Sequence, residues 1–187
     1  MNPREPERLA RREVHRGRSI RLTVDTIRLP DGSTREMDLV HHPGASAILP
    51  VVGRPDDPDP EILLIRQFRY SVGEWLYEVP AGTRGEGEPF DQVALRELEE
   101  ETGWRAGRLT PLTHVWTTPG FTDEVIHLWL ATELEPGTPD PDDDEVLDVV
   151  RVPLSTALGW IREGRIVDAK SIATLLYAAQ FVLRPGA

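Results

Sequence analysis

The stretch GTRGEGEPFDQVALRELEEETGW, Gly82 to Trp104, decides how this chain is read. Pro89 suits the first position of a helix, where its missing N–H costs nothing. Gly103 supplies a C-terminal stop after Thr102. A helix between them puts Glu97, Glu100 and Glu101, at i, i+3 and i+4, on one face. At about 100° per residue, Val93 and Ala94 fall on that same face one turn earlier, whereas Gln92, Arg96 and Glu99 turn to the solvated side. The three carboxylates therefore continue the inward stripe. A Glu-rich helix is ordinarily a solvated face, but like charges packed towards a core repel and are costly to bury unpaired. A divalent cation relieves both problems. Hard oxygen donors suit Mg²⁺ or Mn²⁺, and no Cys or His stands nearby to favour zinc.

Working outward, Ala45–Val52 reads as a buried strand and Gly53–Pro60 as a surface turn. Glu61–Tyr70 and Trp75–Val79 read as further strands, and Ala81–Glu88 as a glycine-rich connection. Before them, Ile20, Leu22 and Val24 alternate, Pro30-Asp31-Gly32-Ser33 turns, and a second strand near 36–42 completes a hairpin. Residues 1–18 are polar, show no period and are expected to be flexible. After the carboxylate helix come strands near 109–117 and 124–132, the acidic loop Glu135–Glu145 and a last strand at Val146–Val152. Two helices close the chain, over about 154–163 and 168–183, the second with Asp168 as N-cap. His114 and His127 fall in strands and read as structural, as do Trp116, Trp129 and Trp160. The order predicts an α+β, layered domain.

Composition excludes several classes. The chain has 187 residues, 21 Lys+Arg against 32 Asp+Glu, and a net charge of −11. That balance argues against a nucleic-acid binder, which needs clustered cations. Zero Cys removes disulfide scaffolds, zinc fingers and thiol nucleophiles. No apolar run approaches a membrane span, and MNPREPERLARREVHRGR lacks the apolar segment of a signal peptide, so a cytoplasmic location is expected. No GxxxxGK[ST] or GxSxG is present, which removes P-loop and serine-hydrolase chemistry.

Gly82, Glu88 and Arg96-Glu97-Leu98-Glu99-Glu100-Glu101-Thr102-Gly103-Trp104, at these spacings, resemble the Nudix box. The resemblance implies a Nudix-type α-β-α sandwich with a mixed sheet over 43–187, preceded by a small N-terminal β-hairpin subdomain over 19–42. It implies hydrolysis of a nucleoside diphosphate linked to another group. Glu97, Glu100 and Glu101 would be the metal ligands, helped by the backbone carbonyl of Ala81. Glu88 and Arg96 would support the loop and orient the carboxylates.

Further segments are similar to the ADP-ribose pyrophosphatase branch: His42-Pro43-Gly44-Ala45, Arg66-Gln67-Phe68-Arg69, Trp75…Glu78-Val79-Pro80-Ala81-Gly82, and Thr118-Pro119-Gly120-Phe121-Thr122-Asp123-Glu124. Met37 stands near a position where that branch often carries a basic residue. By this resemblance Arg66 and Arg69 are candidates for the phosphates, Glu124 for a ribose hydroxyl, and Pro119, Gly120 and Trp75 for substrate contact. Each arginine has a second reading as a cross-strand ion pair. The expected substrate is ADP-ribose or a related nucleoside diphosphate sugar, with a dinucleotide such as FAD as the alternative and, behind both, a catalytically inactive nucleotide-binding regulator of the same fold. The box ligands being committed to metal, a further carboxylate should accept the proton of the attacking water; resemblance to the branch, which often places its base in this acidic loop, implies Glu145 or Asp143. A homodimer is expected, built through the 19–42 element, which cannot bury its apolar face alone.

Overall fold

The computed structural model describes residues 5–140 and 146–183. The chain divides into two units, Met1–Gly44 with Trp116–Val125, and Ala45–Val115 with Ile126–Ala187.

The first unit is a three-stranded antiparallel sheet of β1 (Glu7–Arg16), β2 (Arg21–Arg28) and β3 (Thr34–His41), in that spatial order. Here the structure corrects the sequence reading, because most of the expected flexible leader is the strand β1. Every residue of β1 is exposed, so no apolar alternation marks it. Its backbone ladder to β2 and a charge fork hold it instead. Arg11 pairs with Asp25 in the register, and its Nε and Nη2 each donate to that carboxylate at 2.7 Å. The buried positions of β2 are accordingly polar, Thr23 and Asp25, rather than the apolar face the alternation suggested.

The second unit holds a seven-stranded mixed sheet. Its strands are β4 (Ala45–Val52), β5 (Glu61–Arg69), β6 (Glu74–Glu78), β7 (Ala81–Thr83), β8 (Trp104–Trp116), β9 (Val125–Pro136) and β10 (Leu147–Pro153). The main path runs β10-β5-β4-β9-β8, with β6 beside β5 and β7 beside β4. β4 and β9 are parallel; β5 is antiparallel to β4, β6 and β10. The three helices are α1 (Phe90–Thr102), α2 (Leu154–Arg162) and α3 (Ala169–Phe181). Strand β4 is buried along nearly its whole length, and its alternation sorts the layers. Ile48 packs with Ala94 and Leu98 of α1, whereas Leu49 and Val51 pack with Ala157 of α2 and Leu175 and Ala178 of α3. Helices on both faces of one sheet make the α-β-α sandwich. Truncating Leu98, fully buried, to Ala should cost ~2–5 kcal/mol.

Two elements differ from expectation. Ala81–Thr83, read as connection, pairs with Ala45–Ala47 of β4 as a strand too short to show a period. Strand β8 starts at Trp104, directly after the helix stop, in a stretch whose exposure hides it. Gly103 does stop α1 as expected: it adopts φ 71°, and its N–H donates to Glu99 O at 2.8 Å. Among the described residues no helix is long and apolar enough to cross a membrane.

Candidate active site

Helix α1 carries Glu97 and Glu101 into the second unit, both buried, while Glu100 is partly exposed. Glu101 Oε2 accepts from the Ala81 N–H at 2.9 Å, tying the helix to the strand that precedes the box loop. The carboxylate of Glu97 lies against the backbone of Gly82. Arg96 does not point away as the helical wheel suggested. Its long side chain curls back, and Nη1 donates to Glu97 Oε1 at 2.6 Å and Glu100 Oε2 at 2.8 Å. Nε donates to Glu88 Oε1 at 3.0 Å. Glu88 Oε2 in turn accepts from the Gly85 N–H, which pins the loop. The Arg96 guanidinium holds Glu88 below the ordinary carboxylate range, and Glu88 and the two box carboxylates raise Arg96.

Arg69 and Glu78 form a second charged group on β5 and β6. Arg69 Nε and Nη2 donate to Glu78 at 2.7 and 2.8 Å. Lys170 of α3 contacts the same carboxylate and lies 3.1 Å from Asp168. Burial pushes Glu78 up, but its bonds to Arg69 and the charge of Lys170 outweigh this and leave it below its ordinary value. Arg66 is placed otherwise. Successive strand side chains alternate faces, and Arg66 sits over the Trp75 ring at 4.8 Å, with Asp148 3.9 Å away on β10. The structure therefore does not bring Arg66 and Arg69 together. Trp75 itself is partly exposed and edge-on to Phe68.

The remaining candidates are in the first unit. Pro119 and Gly120 form a turn in which the Phe121 and Thr122 amides donate to Thr118 O at 3.1 Å. His41 Nδ1 lies 2.5 Å from Asp123, the His42 N–H donates to Asp123 at 2.9 Å, and His42 Nδ1 lies 3.5 Å from Glu124. The HPGA and TPGFTDE segments are thus joined through His42 and Asp123, 81 residues apart in sequence. Asp143 and Glu145 lie outside the described residues. The approach to their loop is fixed, because the Gly137 and Asp140 amides donate to Gly103 O and Glu100 O at the end of α1. A cavity of about 450 Å³ borders Glu100 there, walled by Arg96, Glu99 and Thr138–Asp140.

Among the described residues no three acidic or histidine side chains converge on a point that could hold a metal ion. Arg96 stands between Glu97 and Glu100 in the manner of a counter-cation. The donor types on this face of α1, carboxylates with no sulfur or imidazole, fit a hard divalent ion.

The family model described as the NUDIX domain matches residues 41–175. The chain belongs to the Nudix family. It is 36% identical over 95% of its length, and 94% of the relative's, to a Bacillus subtilis protein called ADP-ribose pyrophosphatase. It is 35% identical to a Bacillus methanolicus protein called methanol dehydrogenase activator, covering 92% of each. A crystal structure described as an ADP compounds hydrolase matches with a TM-score of 0.80 at 23% identity, covering 93% of this chain and 92% of that one; the likeness is one of fold. The enzyme class read from the sequence stands: this Nudix chain is a pyrophosphohydrolase acting on nucleoside diphosphate derivatives. Nudix hydrolases generally require divalent metal ions. The sequence reading missed Glu78 and Lys170 as one unit. One signal was available, since Lys170 is the single lysine of the chain.

Proposed function

We propose that this Nudix hydrolase cleaves the pyrophosphate bond of ADP-ribose, or a closely related nucleoside diphosphate sugar, to give AMP and a sugar phosphate. The observation that carries the reading is the arrangement on α1, where Arg96 gathers Glu97 and Glu100 and Ala81 meets Glu101. The name of the Bacillus subtilis relative, matched over nearly the whole chain, supports the choice of sugar nucleotide.

Glu97, Glu100, Glu101 and the Ala81 carbonyl would hold Mg²⁺ or Mn²⁺. Bound there, such an ion would supply charge to offset the phosphate oxygens and to lower the pKa of a water. The chain's own residues do the rest. Glu88 fixes Arg96, and Arg96 keeps two carboxylates in register without a helix-length search. Arg69, about one-third exposed, offers a planar fork to a phosphate. Glu124 would accept from a ribose hydroxyl beside the Pro119-Gly120 turn, and a carboxylate of the acidic loop, Asp143 or Glu145, would take the proton from the attacking water. A homodimer is part of this reading.

The deciding experiment is a panel of nucleoside diphosphate derivatives incubated with the chain and Mg²⁺, with nucleoside monophosphate release followed and EDTA as control. Fastest release of AMP from ADP-ribose is expected. Faster release from FAD or a GDP sugar would move the substrate assignment, and no release from any of them would end it.

A further inference from the structure

Twenty of the chain's cations are arginine and one is lysine, Lys170. That lysine is not on the surface. It is the second residue of α3, its side chain is 12% exposed, and its ammonium reaches Glu78, whose side chain is 2% exposed. The contact falls on Glu78 Oε2, the same oxygen that accepts from Arg69 Nη2. Lys170 also lies 3.1 Å from Asp168, the N-cap of α3. Two cations and two carboxylates thus meet in one half-buried group, and the charge of Glu101 acts on Arg69 as well.

The choice of lysine has a physical reason. A compact ammonium with three rotatable donors reaches Glu78 and Asp168 together without the fixed planar geometry that a guanidinium fork imposes. The turn around Lys170 is tied to the box strand as well. Ser171 Oγ donates to Asp168 and accepts from the Val79 N–H at 2.9 Å, two residues before Ala81.

Arg69 is where this matters. Its Nε and Nη2 are both spent on Glu78. Turning that fork towards an anion would strand a buried carboxylate if Arg69 were its sole partner, and a buried charge left alone is strongly unfavourable. We propose that Lys170 is a positioning residue: it carries the charge of Glu78, so that Arg69 can loosen its grip and turn its fork to a phosphate of the nucleotide. The inference rests on the proposed phosphate role of Arg69 and adds the group that makes it available.

The test compares KM and kcat for Mg²⁺-dependent AMP release from ADP-ribose in wild type, K170M, E78Q and K170M/E78Q. In K170M, Glu78 pins Arg69, so KM should rise about tenfold with kcat within about threefold, the pattern of lost ground-state binding. Removing the Glu78 charge too releases Arg69, so K170M/E78Q should return to within about threefold of the wild-type KM. A residue that only supports the fold would make the double variant worse than either single one. An unchanged KM in K170M, a fall in kcat alone, or a double variant worse than K170M overturns the proposal. If K170M does not fold, K170Q carries the same comparison. A wild-type chain that releases no AMP would defeat the hydrolase reading separately. The contact is then judged by NMR on protein with isotope-labelled lysine, whose one side-chain ammonium should give one slowly exchanging signal. E78Q should shift that signal; a signal indifferent to E78Q overturns the proposal.

Discussion

The carboxylate of Glu97 lies so close to the backbone of Gly82 that a Cβ there would collide with its Oε1. Real atoms never approach so closely, so Gly82 is demanded by this contact. The obstacle is the end of a flexible side chain, so G82A should fold, with Glu97 swung aside. The expected result is a folded protein with a cooperative melting curve and activity reduced at least ~10-fold, because a displaced metal ligand costs reactive geometry. Wild-type turnover in G82A would show that Glu97 need not sit where the structure has it.

Glu100 and Glu101 give a second test. Gln in their place preserves shape, and at 101 it can still accept from the Ala81 N–H. Loss of charge should nonetheless cost at least ~10²-fold in kcat, since hard cations need anionic oxygen. EDTA should abolish wild-type activity, and Mg²⁺ or Mn²⁺ should restore it. Full activity in E100Q/E101Q would remove the site from α1.

What the sequence disclosed was whatever lay within one helix or one contiguous motif. Helix α1, its stop at Gly103 and the shared face of Glu97, Glu100 and Glu101 are all set by 3.6-residue periodicity and local capping. Periodicity alone turned Arg96 to solvent, because a helical wheel places Cα atoms while a long side chain can fold back over its own i+4 neighbour; only the motif resemblance put it beside the carboxylates. Strand β1 was hidden because both of its faces are exposed and a ladder to β2 alone defines it. Glu78 and Lys170 are 92 residues apart and meet only when α3 docks at the end of β6. In the RQFR segment alternation sends Arg66 to Trp75 and Asp148 and Arg69 to Glu78, so each arginine makes the cross-strand ion pair of its second reading.

Stability should depend on pH through His127. Its ring stacks on Phe90 at 3.9 Å and lies 5.6 Å from His114, with Trp129 beyond. Burial, then the nearby His114 and Arg84, holds its pKa below the ordinary histidine value. The folded chain therefore binds this proton less readily than the unfolded one. The contribution of the neutral ring is complete above the unfolded value of about 6.5 and is lost as pH falls through the lower folded value. H127F keeps a ring in the stack and abolishes the titration. Melting temperatures followed from about pH 7.5 to about pH 5.5 should fall more steeply in wild type than in H127F; parallel curves would assign the dependence elsewhere.

The general base should come from the acidic loop that follows the Gly137–Asp140 segment, itself anchored to the end of α1 by the Gly103 and Glu100 carbonyls. E145Q and D143N separate the two candidates. Glu145 has the longer reach, so E145Q is expected to lose the more kcat, with metal affinity unchanged. Wild-type kcat in both variants would leave the loop as a linker.

Strand β1 carries the argument for assembly. It is an edge strand of ten residues, exposed throughout, with Leu9 and Val14 each about half open to solvent and Ile20 beside them. Such an edge presents unpaired backbone groups and apolar surface, a combination that proteins otherwise blunt or cover. Nine arginines within residues 1–44 temper it without closing it. A second copy of the chain is the expected cover, and light scattering should return twice the chain mass. L9K/V14K places charge on that strand and should shift the mass towards one chain, with activity falling if the assembled pair is the working enzyme. A wild-type chain that is monomeric at assay concentration and fully active would refute the dimer outright.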